Sequence, residues 1–135
     1  MMDNYAQEIH DLHQFFEDYL VGRRSHDPMT RFTGVTDDHF TIVGSDGTVM
    51  NRDAIIGYVR DNYSKRPNFS IWTEQVSLRQ HLNGILIVTY EEWQTIDSVT
   101  TVRTSTVAFA EDDQQPNGLR WLHVHESGLR TVRED

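Results

Sequence analysis

The sequence predicts an α+β fold, with helices first and then a curved antiparallel sheet around a small-molecule pocket. Three observations predict it. Apolar residues recur at helical spacing near the start of the chain. From Phe69 onward the pattern is all strand, punctuated by turn signals. The last strand, Arg120–Gly128 (RWLHVHESG), alternates aromatic or imidazole residues with aliphatic ones and ends in His123-x-His125-x-Ser127-Gly128. No repeat, low-complexity tract or linker divides the 135 residues, so one domain over 1–135 is expected, long enough for a real core.

The first helix is expected from Asn4 to about Arg24. Tyr5, Ile9, Leu12, Phe16, Tyr19 and Leu20 form one apolar stripe there, and His26-Asp27-Pro28 ends it, because a residue before proline is pushed out of helical geometry. Pro28–Phe32 is expected as a short second helix. His39–Val43 alternates as a strand, Ser45-Asp46-Gly47 turns, and Thr48–Met50 returns. Asn51 then caps a helix to about Ser64 that buries Ile55, Ile56, Val59 and Tyr63.

A four-stranded meander follows. Asn83-Gly84 joins Phe69–Leu82 to Ile85–Ile96, Asp97-Ser98 turns into Val99–Ala110, and the polar loop Glu111–Gly118 leads to the last strand. A two-residue Asn-Gly turn pairs Leu82 with Ile85, Leu78 with Thr89, Val76 with Glu91 and Glu74 with Trp93. Paired residues share a face. One face then collects Trp72, Val76, Leu78, Leu82, Ile85, Ile87 and Trp93. The other mixes Ile71, Leu86, Val88 and Tyr90 with Gln75, Ser77, Arg79 and Glu92. If helices cover the mixed face, a second copy of the chain is the simplest cover for the tryptophan-rich one, and a homodimer through Trp72, Trp93 and Ile87 is expected.

Composition narrows the partners. Hydrophobic residues make up 37%, low for a self-sufficient globule, which also favours a partner. The formal charge is −9, and Lys65 is the only lysine, so no basic stripe recommends nucleic acid or an anionic membrane surface. No segment approaches the roughly 20 apolar residues of a membrane span, and the N-terminus lacks a signal-peptide pattern. The absence of cysteine excludes disulfides and thiolate chemistry and fits a cytoplasmic location. No dinucleotide fingerprint, phosphate loop or zinc spacing is present, and no cofactor is expected.

Tyr90-Glu91-Glu92, Thr106-Val107-Ala108-Phe109 and His123-Val124-His125-Glu126-Ser127-Gly128, with the entry GTVMNRDA (Gly47–Ala54) into the later helix, resemble the nuclear transport factor 2-like superfamily over nearly the whole chain. Within it they look closest to SnoaL-like small proteins and to the association domain of calcium/calmodulin-dependent kinase type II. The resemblance implies a cystatin-like, cone-shaped half-barrel with helices on the concave face, a pocket between helices and sheet, and a dimer through the outer face. In the kinase association domain, arginines line the pocket at positions that here hold Glu92, Val107 and Glu126. Two positive charges have thus become carboxylates, and Arg103, four residues before Val107, is left as a candidate cation.

The candidate ligand-binding residues are Tyr90, Glu92, Arg103, Glu126 and Arg79. Two carboxylates in a half-apolar pocket can divide acid and base roles, with Tyr90 donating to a developing oxyanion, so Glu92, Glu126 and Tyr90 are also the catalytic candidates. The plainer alternative is that the carboxylates pair with Arg103 or Arg79. His123 and His125, two apart on a strand, have metal-ligand spacing without a visible third ligand; otherwise they pack with Trp121 on one sheet face. Three readings follow: a non-catalytic small-molecule binder or scaffold, a cofactor-free isomerase, cyclase or dehydratase acting on a small carbonyl compound, and an oligomerisation domain.

Overall fold

A computed structural model describes residues 3–25 and 29–134. Helix α1 spans Asn4–Val21 and buries Ile9, Leu12, Phe15, Tyr19 and Leu20, the face its apolar stripe predicts. It stops earlier than expected. Gly22 takes a left-handed conformation (φ 96°) and closes the helix with its N–H on the Asp18 carbonyl. A Cβ there would lie 2.4 Å from Ser64 Oγ, so glycine also permits a close approach of two segments. The expected terminator, His26-Asp27-Pro28, lies outside the described residues. A short helix α2, Thr30–Thr33, follows.

Strand β1 (Thr36–Val43) turns through Gly44–Thr48 into β2 (Val49–Asn51). Helix α3 (Arg52–Asp61) begins where expected, with Asn51 Oδ1 accepting from the Ala54 N–H at 2.9 Å. It ends three residues short of Ser64, whose own N–H is taken by the Tyr19 carbonyl at the end of α1. Strands β3 (Phe69–Leu82), β4 (Ile85–Ile96), β5 (Val99–Glu111) and β6 (Leu119–Glu134) complete the chain. No described helix is long and apolar enough to cross a membrane.

The sheet has six strands in the order β2-β1-β6-β5-β4-β3. The expected antiparallel meander forms from β3 to β6, and the sheet as a whole is mixed because β1 runs parallel to β6, with Thr41 opposite His123 and Val43 opposite His125. The Asn83-Gly84 turn pairs Leu82 with Ile85 as expected. Further along, the expected register fails at two bulges. Leu78 opposes Val88, Glu74 opposes Glu91, and Trp72 opposes Trp93. Two extra residues on β3 restore the alternation, so the tryptophans still share the outer face. Within the first bulge Val76 packs against the core, and within the second Arg79 donates to Thr89 Oγ1 rather than joining Tyr90 and Glu92. Strand β6 slips against β5 at three points, and at one of them Ala108 opposes His123 but Phe109 opposes Trp121. Trp121 therefore turns inward, edge-on to Phe109, while His123 and His125 turn outward, a correction of the expected packing of these histidines with Trp121.

The three helices cover the inner face, and α1 is fastened by a carboxylate. Glu8 is 0% exposed and accepts from Arg31 (2.7 and 3.1 Å), Trp121 Nε1 (2.8 Å) and Asn117 Nδ2 (3.0 Å). A buried charge is tolerated only when satisfied in this way. Glu8→Ala is expected to cost about 3 kcal/mol or more, because it strands a guanidinium and an indole N–H. Denaturant melts check this, and Glu8→Gln, which keeps part of the hydrogen bonding, should lose less.

Candidate functional site

Between the helices and the sheet lies a cavity of about 550 Å³. Most of its wall is carbon, from side chains such as Leu12, Phe16, Phe40, Ile55 and Phe69. The period-two alternation of β4 aims Tyr90, Glu92 and Gln94 inward, β5 contributes Arg103, and β6 contributes Glu126. Helix α1 adds His13 from above.

These groups form one chain of contacts. His13 Nε2 lies 2.9 Å from Glu92 Oε1. Arg103, the cross-strand partner of Glu92, places Nε 2.8 Å from Glu92 Oε2 and an Nη 3.1 Å from Glu126 Oε1. Gln94 donates to Glu92 Oε2 at 3.2 Å. The other ring nitrogen of His13 is 2.7 Å from the Ile9 carbonyl, which can only accept. That nitrogen therefore carries a proton. Tyr90 lies edge-on to the His13 ring, with centroids 5.4 Å apart.

The two carboxylates titrate in opposite directions. Burial works against ionisation of Glu92, but the hydrogen bond and charge of His13, with Arg103 and Gln94, outweigh it and hold the group below its ordinary range. Glu126 is pushed up to about 7, by burial first and by the Glu92 charge second, against the partial relief of Arg103 and His13. Burial, then the charges of Glu92 and Glu126, raises Tyr90 well above the ordinary phenol range, so it remains a protonated donor. The cavity thus ends in an acid–base group that exchanges its proton near neutrality beside a fixed ion pair.

Of the sequence candidates, Tyr90, Glu92, Arg103 and Glu126 come together here. Arg79 does not line the cavity, because the bulge carries it to Thr89. His123 and His125 lie on the opposite face with ring centroids 6.3 Å apart, and His123 Nδ1 contacts Thr41 Oγ1 at 2.7 Å. Among the described residues no three potential ligands are grouped to hold a metal. Trp72 and Trp93 stack on the outer face, 5.9 Å apart, away from the cavity. Sequence reasoning missed His13. Its signal was a polar residue set four after Ile9 and one after Leu12, on the buried side of α1, where it is only 4% exposed.

The carboxylates give opposite pH dependences. A group whose pKa is raised on folding binds its proton more tightly when folded, so Glu126 makes stability fall as pH rises from about 4.5 to about 7. A group whose pKa is lowered contributes above the ordinary carboxylate range and loses that contribution on acidification, which is the sign for Glu92. Melting temperature is expected to peak on the acid side of neutrality. Glu126→Gln should remove the fall toward neutral pH and leave the acid limb in place; an unchanged fall in that variant would assign it to another group.

Comparison with known proteins agrees with this fold. A family model described as sucrose-6-phosphate phosphohydrolase C-terminal matches residues 5–130. No curated protein matches the chain. Among solved structures, an NTF-2 like protein of unknown function from Pseudomonas aeruginosa is 27% identical, with a TM-score of 0.84 over 92% of this chain and 97% of that one. The CaMKII hub of S. rosetta is 20% identical, with a TM-score of 0.65 over 88% and 95% of the two chains. The CaMKII association domain of C. elegans is 13% identical, with a TM-score of 0.61 over 87% and 91%. At such identities the last two establish the fold alone. The chain has the nuclear transport factor 2-like fold, and by the match over residues 5–130 it belongs to the sucrose-6-phosphate phosphohydrolase C-terminal family.

Proposed function

We propose that this chain is one domain that binds a small, largely apolar molecule, as a non-catalytic binder or scaffold. The observation that carries the reading is a cavity of about 550 Å³, within the roughly 300–1,000 Å³ range of small-molecule sites, whose deep charged groups are already paired with one another. A preformed pocket with satisfied polar groups costs little reorganisation on binding. The family is described by the C-terminal part of a phosphohydrolase, a place that suits a binding or assembly role beside a catalytic part. The cysteine-free composition suits a cytoplasmic setting.

A second reading rests on Glu126. A carboxyl group titrating at about 7 beside the protonated Tyr90 is equipped to move a proton on a small carbonyl compound, as a cofactor-free isomerase, cyclase or dehydratase would. Binding and catalysis separate in one experiment. Thermal melting across a metabolite library identifies ligands, since a molecule that binds only the folded state raises the melting point. On the binder reading, Glu92→Gln or Glu126→Gln changes ligand affinity and no hit is chemically altered. Turnover of a hit that Glu126→Gln abolishes would establish the second reading instead.

Assembly is the third element. Trp72 is 37% exposed and stacks on Trp93, with Ile87 on the same face, an apolar patch that suits a second copy of the chain. A homodimer through this face predicts that Trp72→Arg with Trp93→Arg shifts sedimentation from dimer to monomer at micromolar concentration while the melting point of the monomer holds. A wild-type monomer under those conditions would remove the assembly reading.

A further inference from the structure

Each charged group on the cavity wall has a partner of opposite charge or a backbone bond, except one. Glu92, Arg103, Glu126 and His13 pair with one another, and the Asp46 carboxylate accepts from the Thr48 N–H at 2.9 Å. Arg66 is different. Its guanidinium lines the cavity, and no carboxylate among the described residues lies within ion-pair distance of it.

Arg66 is nevertheless held in place. Its backbone N–H bonds the Leu20 carbonyl at 3.0 Å. One Nη donates to the Tyr58 hydroxyl at 2.5 Å, and the guanidinium carbon sits 5.6 Å from the Phe69 ring centroid and 5.8 Å from that of Tyr58. The Tyr58 hydroxyl and the neighbouring aromatic rings hold the fork and leave its remaining N–H groups for an acceptor. Tyr58 is 45% exposed, so this end of the cavity meets water.

We propose that the cavity takes an amphipathic monoanion, with its acid head on Arg66 and its apolar body along the carbon wall. The inference rests on the small-molecule reading above and adds the ligand class. A guanidinium without a carboxylate, set at the rim of an apolar cavity, is completed by a carboxylate or a comparable oxyanion, which it can bind through two parallel hydrogen bonds. The wall decides the rest of the ligand. Each sugar hydroxyl buried here would need its own partner, and Leu12, Phe16, Leu20, Phe40 and Ile55 offer none. An aryl or alkyl body loses nothing against those side chains. The head belongs to Arg66 and not to Arg103, because Arg103 already divides its charge between Glu92 and Glu126.

Three probes with one body and different heads test this by calorimetry on the full chain: 4-phenylbutyrate, 4-phenylbutanol and 4-phenylbutylamine. In the wild type the acid is expected to bind roughly tenfold more tightly than the alcohol or the amine, with a preference that weakens as ionic strength rises. Arg66→Gln should abolish the preference and leave alcohol binding unchanged, and Arg66→Lys should restore part of it. Melting curves confirm that both variants are folded. Equal affinity for the three probes, preference for the amine, or an acid preference that survives in Arg66→Gln would overturn the assignment while leaving the pocket reading intact. Should none of the probes bind, with library compounds also silent, the pocket reading fails and this inference with it. If Arg66→Gln does not fold, the wild-type head preference and its salt dependence decide: a salt-insensitive acid preference overturns the proposal.

Discussion

The arrangement of the site depends on one guanidinium that bridges two buried carboxylates. Glu92 and Glu126 stand on strands either side of β5, and Arg103 sits between them on β5 itself. Without it, two like charges would face each other in a medium that screens them poorly. Its presence lets the inner face of the sheet remain polar at one end and apolar elsewhere, and this asymmetry makes the space under the helices a cavity with a defined orientation. The pair is unequal: Glu92 has His13 and Gln94 as well, and Glu126 has Arg103 alone among the described residues, so the proton that the site exchanges near neutrality resides on Glu126.

Helix α1 is positioned by two polar pins on its buried side, Glu8 and His13. The first ties it to α2, to β6 and to the loop before β6, and the second ties it to β4. Both are hydrogen-bonded at distances that leave little slack, and they lie more than one turn apart along the helix. Apolar contacts tolerate sliding; these contacts do not. The height of the helical roof over the sheet, and so the volume beneath it, follows from two side chains that hydrophobic patterning alone treats as exceptions.

Local chemistry was legible in the sequence. The stripe of α1, the Asn51 cap and the Asn83-Gly84 hairpin each rest on interactions within a few residues, and each formed as read. What failed was long-range or conformational. Nothing local announces that β1 lies parallel to β6, because that pairing joins Thr41 to His123 across most of the chain. The β3 bulge between Glu74 and Ser77 was invisible because Gln75 adopts φ 56° without being glycine. The second, between Leu78 and Gln80, carried Arg79 out of the site, while Tyr90, Glu92 and Arg103 survived because β4 and β5 pair without a slip from Ile85 to Ile96, and Glu126 because β5 and β6 pair without one from Thr104 to Ala108. His13 needed the tertiary structure, since its partner lies on a strand 79 residues later.

The bulges of β3 also bear on how the molecule meets its neighbours. An open sheet has two free edges, and a long straight edge recruits foreign strands. Here one edge, β2, is three residues long, and the other, β3, is kinked at two points along its 14 residues. Neither offers an unbroken row of backbone donors and acceptors to a passing chain. Open-ended strand addition, which propagates into fibres, is thereby disfavoured at both edges.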